Sequence, residues 1–123
     1  MKRGKTVFLA EPTKSLAREL EQFLARKGYR TILARTLKET LLTLQHESAD
    51  VLVLDASLLE EDCEFISVIK GMKQDLPVII CSEFNTPELE SKIRQQKIFY
   101  YHIRTFGIQD LEMAISNAVN GLS

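Results

Sequence analysis

The chain has little of what marks several large protein classes. It has no tryptophan, three prolines, five glycines and two cysteines in 123 residues. So few prolines and glycines leave no room for a low-complexity stretch or a flexible linker. Cys63 and Cys81 lie far apart with no histidine cluster beside them, which excludes the usual zinc and redox spacings. Nothing points to disulfides, so a reducing, cytoplasmic compartment is expected. No apolar run approaches the ~18 residues that span a bilayer, and the N-terminus lacks the apolar core of a signal peptide. A soluble protein with no membrane partner is expected. Charge of one sign is also missing: 16 basic residues face 17 acidic ones, for a net charge of −1. No overall field draws the chain to nucleic acid. The basic start at Lys2, Arg3 and Lys5 reads as a solvated terminus.

What is present is ordinary for one soluble domain, with 45% apolar and 27% charged residues. The length suits a single domain over residues 1–123, with enough chain to bury a core. Short apolar runs alternate with amphipathic stretches throughout. Strands are predicted at Thr6–Ala10, Arg30–Ala34, Val51–Leu54, Val78–Cys81 and Ile98–Ile103. Pro12 ends the first, because proline cannot donate to a ladder. Leu16, Leu20, Phe23 and Leu24 recur at helical spacing, and Gly28 stands where a C-cap belongs. Thr36 and Glu39 have capping-box spacing ahead of Leu37, Leu41 and Leu44. A third helix is predicted from about Glu61 to Met72, with Phe65, Ile66 and Ile69 on one face. Thr86-Pro87-Glu88 opens a fourth. A fifth runs from about Gln109 to Val119, with Leu111, Ile115 and Val119 inward. Cys81 reads as a small buried hydrophobe, and Cys63, among acids, as exposed. The frame is strand–helix five times. Its near-continuous apolar strands predict a doubly wound, five-stranded parallel sheet in three α/β/α layers.

In such a sheet, ligands bind outside the carboxyl ends of the strands. That edge gathers Glu11, Asp55, Ser82 and Arg104. Paired carboxylates bind a hard cation such as Mg²⁺. A hydroxyl and a guanidinium suit a phosphoryl group, and an aspartate can itself form an acyl phosphate.

At this edge the sequence resembles the receiver domain of bacterial response regulators, the CheY-like family with its flavodoxin-like fold. The resemblance covers about Lys5 to Val119. Ala49-Asp-Val-Leu-Val-Leu-Asp55 resembles the stretch leading to the family's phosphoacceptor, and Leu76-Pro-Val-Ile-Ile-Cys-Ser82 resembles its fourth-strand segment. Gly28-Tyr29 with Ala34 resembles the family's entry into strand two. The resemblance implies strand order 2-1-3-4-5. It implies Asp55 as phosphoacceptor, Ser82 as the phosphoryl-contacting hydroxyl, Arg104 in place of the family's lysine, and Tyr101 as the aromatic residue that reorients on activation. It implies Mg²⁺ held by Glu11, Asp55 and the backbone carbonyl of Ser57. Phe106 matches a family phenylalanine. The departures are as clear. Ala10 replaces one acid of the usual pair. Thr105 replaces a proline, so the cis bond often found there is not expected. Leu59 and Cys63 replace a proline and a glycine, and Glu60, Glu61, Asp62 and Glu64 make that loop acidic.

Two main readings follow. In one, a histidine kinase or phosphotransfer protein phosphorylates Asp55, which switches contacts with an output protein. In the other, the chain is a pseudo-receiver that recognises partners without phosphate. Neither is an enzyme in the ordinary sense. A flavin carrier on a similar sheet needs a glycine-containing phosphate loop, which Glu11-Pro-Thr-Lys-Ser15 is not. His46 and His102 read as a helix-end and a strand residue, with no catalytic triad about them. Homodimers through helix four, strand five and helix five are a family habit. The chain stops just past helix five, as a complete partner-binding protein or a piece of a longer regulator would.

Overall fold

The computed structural model describes residues 4–59 and 62–122. The readings made for Lys2, Arg3, Glu60 and Glu61 lie outside these residues. The elements alternate as the sequence requires: β1 Thr6–Ala10, α1 Ser15–Lys27, β2 Arg30–Ala34, α2 Leu37–His46, β3 Val51–Asp55, α3 Phe65–Met72, β4 Val78–Ser82, α4 Pro87–Arg94, β5 Tyr100–Ile103 and α5 Ile108–Val119. All strand pairs are parallel, in the order β2-β1-β3-β4-β5. No described helix is long and apolar enough to cross a membrane.

The pleat sorts side chains between two cores. Phe8, Ala10, Leu52, Leu54 and Ile80 face α2, α3 and α4, where Leu44, Ile66, Ile69 and Ile93 meet them. Val7, Leu9, Val51, Val53, Ile79 and Cys81 face α1 and α5, against Leu16, Leu20, Leu111 and Ile115. Successive residues of a strand point to opposite faces, so a strand covered on both sides is apolar at every position. β1 and β4 are buried along their whole length, while β2, at the sheet edge, keeps three of its five residues exposed.

Local chemistry sets the helix ends. Gly28 adopts φ 71°, and Tyr29 N–H donates to the Leu24 carbonyl at 3.0 Å, which closes α1 with a Schellman turn. The Thr36 hydroxyl accepts from Glu39 N–H at 3.0 Å, and Thr86 does the same for Leu89 at 3.1 Å with Pro87 in the first turn. The N-terminus of α1 is capped from further away. Both oxygens of Glu11 are used there: Oε1 accepts from Leu16 N–H at 2.9 Å and Oε2 from Ala17 N–H at 3.0 Å. Glu11 is 2% exposed, so a buried carboxylate satisfies two otherwise orphaned donors at the positive end of the helix.

Several expectations need adjusting. The third helix starts at Phe65, not near Glu61, because Asp62 Oδ1 accepts from Glu64 N–H at 3.1 Å and holds a turn there. Ala56–Leu59 form a 3₁₀ turn that periodicity did not show. The fifth strand starts at Tyr100, two residues late. Cys63 is buried, with its thiol pKa pushed up by that burial. Cys81 is buried as expected, its thiol pushed well up by desolvation and then by the Asp55 charge. No cis peptide occurs among the described residues, in keeping with Thr105.

His102 on β5 is 2% exposed, and its Nδ1 has no hydrogen-bond partner among the described residues. Burial holds its pKa below the usual value.

Two outcomes are expected. Glu11→Ala should lower unfolding stability by about 1–2 kcal/mol in urea titrations, the cost of losing a helix cap. His102 takes up its proton more readily in the unfolded chain. Its stabilising neutrality is complete above about pH 6.5 and is lost as pH falls from there toward the lower folded pKa. Urea melts between pH 8 and 5 should therefore fall more steeply for wild type than for His102→Leu.

Candidate functional site

An open cleft lies over the carboxyl ends of β3, β4 and β5. Asp55, Ser57, Ser82, Thr86 and Arg104 line it, with Ser15 from α1. Three of the side chains read from the sequence as one site, Asp55, Ser82 and Arg104, thus share a single opening. Each stands where its strand runs out and the chain can turn away from the sheet.

Asp55 is the last residue of β3, in register with Cys81. Its neighbours along the strand are fully buried, but Asp55 is partly exposed. Oδ1 accepts from Ser57 N–H at 3.0 Å, which fixes the carboxylate against the 3₁₀ turn that follows. Among the described residues nothing donates to Oδ2. One oxygen is thus oriented by backbone while the other is free for chemistry.

Ser82 ends β4 and is 5% exposed. Its hydroxyl donates to the Phe84 carbonyl two residues on. This local bond holds the β4–α4 connection in place and occupies the donor that a phosphoryl oxygen would use. Tyr101 is 7% exposed, and its hydroxyl donates to Asn85 Oδ1 at 3.0 Å. Burial raises its phenol pKa. Asn85 Nδ2 in turn donates to Glu90 Oε1 at 2.9 Å, Glu90 pairs with Arg94 at 3.4 Å, and the Arg94 guanidinium lies 5.8 Å from the Tyr101 ring centre. A closed circuit of side chains therefore holds Tyr101 inward. Phe106, by contrast, is 74% exposed.

Arg104 follows β5 directly. Nη1 donates to Ser15 Oγ at 3.0 Å and Nη2 to Glu19 Oε1 at 2.8 Å. Its ion pair is with Glu19 on α1. Among the described residues no ion pair joins it to Asp55.

Glu11 does not line the cleft. Its carboxylate is spent on the first turn of α1, with Ser15 Oγ a further donor at 3.4 Å. Among the described residues no three His, Cys, Asp or Glu side chains gather into one cluster. Of the expected set, Glu11 is held on the α1 amides, and Asp55 and Ser57 are the members that line the cleft. Mg²⁺ is usually held by one or two carboxylates with water completing its shell. Among the described residues Asp55 and the more exposed Glu83 are the carboxylates that line the cleft.

The sequence reading missed Ser15, Glu19, Asn85 and Glu90. Ser15 and Glu19 are one helical turn apart and share a face, but nothing in the pattern tied that face to a residue 85 positions away.

Comparison with known proteins places this cleft in context. The family model described as the response regulator receiver domain matches residues 7–116. No curated protein matches the chain. Among solved structures, a CheY-like receiver domain protein from Methanospirillum hungatei JF-1 is 17% identical. It superposes with a TM-score of 0.84 over 97% of this chain and 96% of that one. A response regulator from Thermotoga maritima gives 0.83 at 19% identity, over 96% and 99%. A Francisella receiver domain gives 0.81 at 21%, over 96% and 98%. These likenesses carry the fold, and the family match carries the identity. With the family model matched over residues 7–116 and the sheet ordered β2-β1-β3-β4-β5, the chain belongs to the response regulator receiver domain family.

Proposed function

We propose that this receiver takes a phosphoryl group on Asp55 from a histidine kinase or phosphotransfer protein. The observation that carries the reading is the gathering of Asp55, Ser82 and Arg104 in one open cleft, with Asp55 Oδ1 oriented by Ser57 N–H. Asp55 Oδ2 would attack the phosphorus of a phosphohistidine. The phosphorus–nitrogen bond breaks, the imidazole leaves and takes up a proton, and a mixed anhydride forms on Asp55. The new dianion requires donors. Arg104 supplies a guanidinium at the cleft wall. Ser82 supplies a hydroxyl once it leaves the Phe84 carbonyl. Movement of Ser82 would then alter the β4–α4 connection, where Asn85 and Tyr101 sit. Asp55 and the Ser57 carbonyl would hold Mg²⁺ at the cleft, where the ion would offset the charge of the phosphoryl group.

A second reading is a pseudo-receiver that binds its partner without phosphate. The engagement of Glu11 in helix capping favours it.

Acetyl phosphate with Mg²⁺, followed by intact-mass spectrometry, separates the two. The expected product is one added phosphoryl group that is absent in Asp55→Asn. Absence of the adduct in wild type, with unchanged backbone amide spectra, would sink the phosphoacceptor reading and leave the binding module. If the adduct forms, Ser82→Ala should lower its yield or lifetime while leaving the melting temperature within a few degrees.

A further inference from the structure

Arg104 is the one cation among the described residues lining the cleft. Where its guanidinium points therefore decides how well the cleft holds an oxyanion. In this structure it points to α1. Glu19 Oε1 takes Nη2 at 2.8 Å and Ser15 Oγ takes Nη1 at 3.0 Å. Ser15 and Glu19 lie four residues apart on α1, so one helix face presents an acceptor to each arm of the planar fork. The Arg104 side chain is 15% exposed and that of Glu19 49%. The pair is thus partly shielded from water on the arginine side, and breaking it leaves Arg104 in need of a new anion. Arg104 opens the short 3₁₀ turn that directly follows β5, and its side chain reaches back across to α1.

We propose that Glu19 is the positioning residue for Arg104: it holds the guanidinium against α1, and a phosphoryl group on Asp55 has to win Arg104 from it. This rests on the reading of Asp55 as phosphoacceptor. It adds that oxyanion affinity is set by competition from a carboxylate outside the cleft. It also makes α1 the element whose contact is surrendered when the cleft is filled. Loss of the Arg104 link frees Glu19 and Ser15 at the first turns of α1, so occupancy at Asp55 is transmitted to that helix through a single guanidinium.

The test uses beryllofluoride with Mg²⁺ as a phosphoryl mimic, titrated against backbone amide resonances. Removing a partly exposed competitor is expected to tighten binding by about two- to fivefold in Glu19→Gln. Glu19→Asp, which keeps the charge on a shorter arm, should fall between that variant and wild type. In an Arg104→Gln background the Glu19→Gln effect should vanish, since the two changes then act on one missing contact. Tighter binding that persists without Arg104, or no change in affinity, overturns the proposal.

A second readout is independent of phosphate chemistry. The Arg104 Nε–H resonance of the free protein should move in Glu19→Gln and stay in place in Glu21→Gln, a change on the same helix. If no variant binds beryllofluoride, the phosphoacceptor reading fails and this resonance decides alone. A shift specific to Glu19 upholds the positioning role, and an unmoved resonance overturns it.

Discussion

The central strands of this sheet have no side that faces water. β1 and β4 are buried throughout, and β3 is buried until its last residue. A polar side chain inside such a strand would lose its hydration without compensation. Polarity is therefore driven to the places where strands stop, and in a parallel sheet those places line up. Asp55 and Ser82 meet because each is the last residue of its strand, and Arg104 joins them as the residue that directly follows β5. The same constraint explains Cys81, a thiol small and apolar enough to sit beside Asp55 while remaining inside the core.

Crowding charges along one edge forces them to choose partners. Glu11 and Glu19 are both anions near Arg104, yet they take different roles. Glu11 is drawn down onto the amide groups that open α1, which need an acceptor whatever the function. Glu19, further along the helix and half exposed, is left to hold the arginine. A compact ammonium at position 104 could offer only a point charge. The guanidinium fork can hold Ser15 and Glu19 together and still keep further donors for the cleft.

Much of this was legible in the sequence, for a physical reason. Strands β1 to β4 and the caps at Thr36 and Thr86 were read within a residue, because apolar runs and short-range capping are local. So was the (βα)₅ frame, and with it the edge where Asp55, Ser82 and Arg104 would meet. The turn at Ala56–Leu59 and the late start of α3 were not legible, since Asp62 competes there with a helical pattern that looked continuous. Glu11 is the instructive case. As a residue type at a strand end it reads equally as a metal ligand and as a cap, and only the position of the α1 amides distinguishes them. The pairing of Arg104 with Glu19 depends on side-chain reach across the fold, which no periodicity records.

The Asn85 side chain is used at both ends, its carbonyl by Tyr101 and its amide by Glu90. It therefore works as a rivet between the β4–α4 connection, strand β5 and helix α4. Shifting the connection would disturb the bonds to Tyr101 and to Glu90 together. The position of the loop above Ser82 and the placement of Tyr101 are thus tied together through one amide side chain.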